Sequence, residues 1–365
     1  MDIEITDADN AGTRRPTERR LIARVDFPFQ VLSTDRAISI PWKLSSEVAT
    51  MRYVKEKTSI PVPTIYFHDD DIDGKIGGPW MLMEYIQVAG CNLLQSWKTM
   101  NSDQKRSVCL SIADYWSQLL SLRFDAIGSL CFGENGGISV GPLSMMCSTS
   151  TLAYDYPPRE DCGPFPTPRE WIMAMANKRL RFKTRMFIHP DWKDPVTEGK
   201  AEEAKEKNRV EANVSMLSKL PLLYKDSATH PITLAPPDFR IHNVLVSEDD
   251  PTIITGVIDW EGTVTAPIWD VRRPPFLQTS LLKQEERIEL NTVIWERVGK
   301  LNPAWAEAIA DGAALRDAVT RAKTSDFEPE SLIGAFEIDG KCFQKKKTEF
   351  LLSFGIVRYI GVITL

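Results

Sequence analysis

The feature that most restricts this chain is a pair of short apolar runs flanked by acids. The runs are Asn243-Val244-Leu245-Val246 and Ile253-Ile254-Thr255-Gly256-Val257-Ile258, split by the acidic turn Ser247 to Pro251. Runs of this length, rich in β-branched residues and separated by turn formers, predict a hairpin. A hairpin brings its outer ends together, so Asp238 and Asn243 before the first strand are predicted to meet Asp259 after the second. One carboxylate can orient a hydroxyl and take its proton, while an amide oxygen and a second carboxylate hold magnesium. Phosphoryl transfer needs that set. Each residue alone is a common turn or strand-end residue; together, at this spacing, they point to chemistry.

Composition narrows the class of partner. The 365 residues are 43% hydrophobic and 26% charged, with a formal net charge of -6, which leaves ample material for a core. An acidic balance without a basic stripe argues against a nucleic-acid partner and for a small molecule or a protein. The six cysteines form no C-x-x-C pair, so neither a zinc site nor a disulfide framework is signalled. A reducing compartment, the cytoplasm, is the expectation, since Met1 to Ile5 lack the basic start and apolar core of an export signal. The apolar run Phe350 to Leu365, interrupted by Arg358, is short for a membrane span and reads as a packed terminal helix or strand. No membrane association is expected.

Along the chain, residues 1–20 are polar and read as a disordered lead-in. Leu21 to Val25 is a strand candidate, and Leu44 to Thr58 is an amphipathic helix with Val48, Met51 and Val54 on one face, stopped by Pro61-Val62-Pro63. Thr64 to His68 and Trp80 to Ile86 follow, around the acidic turn Asp69-Asp70-Asp71. Ser102 to Leu122 is helical, with Val108, Ile112, Tyr115, Trp116 and Leu119 aligned. Gly133 to Pro168 reads as a long irregular connection, followed by helical patterns from Pro168 to Phe187 and from Glu198 to Leu220. After the hairpin the pattern is mostly helical.

The stretch Pro236-Pro237-Asp238-Phe239-Arg240-Ile241-His242-Asn243, then Ile258-Asp259-Trp260-Glu261, resembles the catalytic core of the aminoglycoside phosphotransferase and choline kinase superfamily. Ser45 to Tyr53 with Ile60 to Pro63 resembles the small-lobe helix of its fungal-type branch, and Met81 to Ile86 resembles its hinge. Ala266-Pro267-Ile268-Trp269-Asp270 is similar to a segment whose acid braces the catalytic loop. The resemblance covers roughly Leu21 to Pro274.

That resemblance implies an α+β, two-lobed protein-kinase-like fold. Its small mixed N-lobe would span residues 21–86 and its large, mainly helical C-lobe residues 87–365, with the catalytic loop at 236–262. Asp238 would be the catalytic base, and Asn243 and Asp259 the Mg2+ ligands. Arg24, paired with Glu47, would meet the phosphates of ATP, and backbone groups of Glu84 and Ile86 would hold adenine. The acceptor would be a hydroxyl of a small molecule. Three departures stand out: Pro236 replaces a bracing histidine, Arg240 replaces a second one, and the twenty residues ahead of Leu21 hold a single glycine, Gly12, where two strands and a phosphate-covering turn are expected. The N-lobe therefore reads as truncated. The alternative this raises is a weak or inactive pseudokinase or scaffold.

Overall fold

The computed structural model describes residues 20–26, 29–30, 37–38, 42–71, 73–86, 92–144, 159–171, 174, 231–271, 275–277, 282–309 and 358–364. The expected lead-in ahead of residue 20, nearly all of the helical patterns between 168 and 220, and residues 350–357 lie outside them.

Four antiparallel strands form the first layer. β1 (Arg20–Asp26) pairs with β5 (Trp80–Glu84), and β5 pairs with β4 (Ile65–Asp69). The two-residue pairing of β2 (Phe29–Gln30) with β3 (Ala37–Ile38) lies between β1 and the first helix. The other edge of β1 is covered by β12 (Arg358–Thr364), so Arg24 stands between Met81 and Ile360. The sheet order is β12-β1-β5-β4. The C-terminal segment is thus a strand beside β1, one of the two forms expected of it.

Helix α1 (Lys43–Lys57) packs Leu44, Val48, Met51 and Val54 into the core. Both the N–H and the hydroxyl of Thr58 donate to the Val54 carbonyl and close its last turn. Pro61-Val62-Pro63 then stops helical propagation. The Pro61 carbonyl accepts the Val257 N–H at 2.7 Å, tying this first layer to β10 (Ile254–Val257).

The rest is built around α3 (Ser102–Ser121), which begins with a capping box between Asn101 and Gln104. Short helix α2 (Leu93–Ser96) precedes it, capped by Asn92. The buried face of α3, with Val108, Ile112, Trp116, Leu119 and Leu120, packs on α4 (Gln284–Leu301) through Leu290, Ile294 and Val298. Polar contacts fix that pairing: Arg297 Nε lies 2.8 Å from Asp114, and Asn302 Nδ2 donates to the Ser117 carbonyl.

The irregular connection expected from Gly133 begins differently. β6 (Ser129–Phe132) and β7 (Ile138–Gly141) form a hairpin through the turn Gly133 to Gly137. Gly136 there adopts φ 74°, in the left-handed region. Scattered glycines hid a strand pair, because the Asn135-Gly136 turn is flanked by only four residues on each side. β8 (Ile232–Ala235) pairs antiparallel with β11 (Val264–Pro267), and β9 (Val244–Val246) pairs with β10 as the hairpin expectation required. One hydrophobic core runs from α1 through α3 to α4.

Candidate active site

Asp238 leaves the end of β8, and Asp259 sits in the turn leading into β11. The ladder Val264↔Ala235 therefore anchors the two loops side by side. The sequence reading relied on the β9–β10 hairpin and missed this second ladder. Non-local pairing of two four-residue strands leaves no periodic signal.

The Asp238 loop is a tight turn. Its carbonyl accepts the Arg240 N–H at 2.8 Å and Asn243 Nδ2 at 2.9 Å, and Asn243 N–H donates to the Arg240 carbonyl at 2.9 Å. Asn243 Nδ2 also donates to Asp238 Oδ2 at 3.0 Å. With its Nδ2 turned to Asp238, the amide oxygen is the end left for a cation. The five-residue separation is thus the span needed for one side chain to reach back across the turn. Asn92, the cap of α2, donates to the His242 carbonyl at 3.2 Å and braces the loop from outside.

Asp259 comes next to Asn243 through the backbone, since Ile258 N–H donates to the Asn243 carbonyl at 2.9 Å. Asp259 has φ 64°, and Gly262 three residues on has φ 67°. A non-glycine residue in that region is uncommon and costs on the order of 1 kcal/mol or more. The surrounding packing holds it: Trp260 is buried, donates Nε1–H to the Val257 carbonyl at 3.0 Å and meets Phe239 edge to face at 6.0 Å. Phe239 in turn meets Trp116 of α3 at 5.6 Å. This aromatic row joins the Asp238 loop, the Asp259 loop and the central helix. Trp116 read in sequence only as a helix-face residue.

Arg240 and His242 both crowd Asp238. Arg240 Nε lies 2.6 Å from Oδ1 and His242 Nε2 lies 3.6 Å from Oδ2. Burial alone would push the carboxyl up. The contact with His242, the charge of Arg240 and the donation from Asn243 outweigh it and hold the carboxyl below its usual range.

Arg24 and Glu47 form a buried bidentate pair, Nη1 to Oε1 at 2.7 Å and Nη2 to Oε2 at 2.6 Å. Arg24 Nε also donates to Asp26 at 3.2 Å. Desolvation works against the guanidinium, but Glu47 and Asp26 raise its pKa well above the ordinary value. Nη2 stands 3.9 Å from Glu261, two residues after Asp259, which brings β1 to the Asp259 turn. Lys43, the first residue of α1, joins the same cluster, 2.9 Å from Glu261 and 3.4 Å from Asp26. Sequence reasoning missed Lys43, because a lysine at a helix start reads as a solvated charge.

Glu84 and Ile86 lie at and just beyond the end of β5. Glu84 N–H donates to the Thr64 carbonyl at 2.8 Å, and its carboxylate accepts from Thr64 N–H and hydroxyl. Burial raises its pKa, and the two Thr64 bonds and Lys55 more than reverse that. The Glu84 side chain is therefore committed to the fold, and any adenine contact there falls to the main chain. The Ile86 side chain lies over Gly256 of β10, close enough that a Cβ on Gly256 would come within 2.5 Å of its Cδ1. The segment after β5 thus closes directly onto the hairpin.

The donor set suits magnesium held jointly with phosphates: one amide oxygen and one carboxylate, with the remaining positions left to water and phosphate. Among the described residues there is no cluster of three or more His, Cys, Asp or Glu side chains of the kind that cages a metal by itself.

In outline the chain is similar to aminoglycoside phosphotransferases of known structure. The complex of APH(2")-IIa with gentamicin aligns over 92% of this chain and 86% of its own, at TM-score 0.44 and 12% identity. By sequence the chain is similar to fungal proteins named Altered inheritance of mitochondria protein 9, mitochondrial. The one from Meyerozyma guilliermondii is 35% identical over 121 residues, and the one from Candida tropicalis 30% identical over 125 residues. Each match covers 33% of this chain and 19% of the relative's own length. No protein-family model matches the chain. The relatives' names correct one expectation: a cytoplasmic location does not stand beside relatives named as mitochondrial. Among the described residues no helix is long and apolar enough to cross a membrane.

Proposed function

We propose that the protein is a kinase-like phosphotransferase that moves a phosphoryl group from ATP to a hydroxyl of a small molecule, with magnesium bound between Asn243 and Asp259. The carrying observation is the back-bonded loop in which Asn243 Nδ2 grips Asp238 while Ile258 N–H ties Asn243 to the Asp259 turn. Magnesium, when bound, would neutralise developing charge on the phosphates. Asp238, kept ionised, orients the acceptor hydroxyl and takes its proton. Arg24 is held rigid by Glu47, and main-chain groups of Glu84 and Ile86 offer the adenine edge. Arg240, ion-paired with Asp238, would place a guanidinium beside the base, where it could meet a transferring phosphoryl.

The test is transfer from labelled Mg-ATP to a panel of amino-sugar, amino-alcohol and polyol acceptors, with Asp238→Asn in parallel. Loss of a general base lowers the rate about 100-fold or more. Transfer unaffected by Asp238→Asn, or no nucleotide binding at all, defeats the reading. The 2.6 Å Arg240–Asp238 ion pair favours a second reading, a pseudokinase whose base is neutralised. Nucleotide binding without transfer by either protein would select it.

A further inference from the structure

The charge cluster between β1, α1 and the Asp259 turn contains more than the Arg24–Glu47 pair. Arg24 uses Nη1 and Nη2 on Glu47 and Nε on Asp26, and it is buried to 4% exposure. A guanidinium held by carboxylates at all three nitrogens and buried this deeply has its orientation fixed and its two remaining N–H groups largely shut off from an incoming polyphosphate. Lys43 differs. Its side chain is 14% exposed, and its ammonium is shared between Glu261 at 2.9 Å and Asp26 at 3.4 Å. Glu261 itself is 23% exposed, and it stands two residues from Asp259. Lys43 opens α1, where a cation is disfavoured by the helix dipole and where the first turn contains no acid. Its position is explained by the two carboxylates it reaches from other elements. An ammonium on a flexible stem can exchange one anionic partner for another without disturbing the backbone.

We infer that Lys43 is a phosphate-binding residue of the nucleotide site, parked on Glu261 and transferred to a phosphate oxygen when nucleotide enters, while Arg24 acts as the fixed strut that positions β1 against α1. The inference rests on the nucleotide reading of the site and adds to it which cation contacts the phosphate chain. Nucleotide affinity is therefore set by competition between Glu261 and phosphate for one ammonium.

The experiment is a calorimetric titration of the full chain with adenosine, ADP and ATP in the presence of Mg2+, for wild type, Lys43→Met and Glu261→Gln. A charge-assisted contact of this kind is worth about tenfold or more in affinity. Lys43→Met is expected to lose that factor for ATP and ADP while binding adenosine as wild type does, which also reports that it is folded. Glu261→Gln removes the competitor and tightens ATP binding about threefold or more, leaving adenosine unchanged. Equal losses for adenosine and ATP in Lys43→Met, or ATP affinity equal to wild type, would overturn the inference. If Lys43→Met does not fold, unchanged or weaker ATP binding by Glu261→Gln overturns it. A wild type that binds neither adenosine nor ATP removes the nucleotide reading, and this inference with it. A wild type that binds both, with ATP affinity indifferent to Lys43 and Glu261, removes this inference alone.

Discussion

Replacing Glu47 with alanine isolates the energetics of the buried pair. Arg24 would keep its Asp26 contact at 3.2 Å but lose both short bonds to Glu47, leaving a largely uncompensated guanidinium inside the protein. Removing one partner of a buried pair costs about 3–5 kcal/mol. The surviving Asp26 contact places Glu47→Ala at the lower end, about 3 kcal/mol. For a chain of this size that is a fall in melting temperature of roughly 4 °C. The double variant Arg24→Met/Glu47→Leu removes both charges and fills similar volume. It is expected to be near wild type or more stable, by up to about 4 kcal/mol. Reversible urea unfolding of the three proteins gives the values directly. Glu47→Ala within about 1 kcal/mol of wild type, or a double variant worse than the single, would refute the claim that desolvation dominates this pair. The stable double variant should still bind Mg-ATP more weakly, because β1 loses the strut that fixes it against α1.

Three further outcomes are expected. Gly256→Ala forces Ile86 aside, since the new Cβ meets the flexible tip of that side chain; it should cost only about 1 kcal/mol in unfolding experiments while adenosine affinity falls measurably by calorimetry. The Cys109 thiol, buried and pushed up to about 12 by desolvation, should resist iodoacetamide at neutral pH until denaturant is added, as followed by mass spectrometry. Because the Asp238 carboxyl is held below its usual range, its ionised form stabilises the fold fully above the unfolded value near pH ~4. That advantage disappears as pH falls through the folded value, so the stability gap between wild type and Asp238→Asn should shrink on acidification below pH ~4, measured by urea unfolding.

What was legible in the sequence was what local spacing encodes. Asp238 and Asn243 are separated by the span of one turn, and the β9–β10 strands are short apolar runs split by turn residues, so the meeting of the Asp238 and Asp259 loops could be expected from sequence. Arg24 and Glu47 were legible only through family resemblance, because their 2.6 Å contact joins a strand to a helix and nothing local predicts it. Lys43 escaped for the same reason, its partners Asp26 and Glu261 lying on two other elements. The ladders β8–β11 and β12–β1 join segments distant in the chain, and strand pairing of that kind is decided by the packed whole. His242 carried no role in the sequence reading; the 3₁₀ turn at Ile241–Asn243 sets its Nε2 3.6 Å from Asp238.

The pairing of β12 with β1 also sets an order of events during synthesis. β12 is synthesised more than 300 residues after β1, a delay on the order of tens of seconds at ordinary elongation rates. Through that interval the strand that bears Arg24 has β5 on one side and an open edge on the other. Open edges recruit foreign strands. The β1 edge of the sheet is therefore closed only once β12 has been made, and until then a strand-adding neighbour can compete for it.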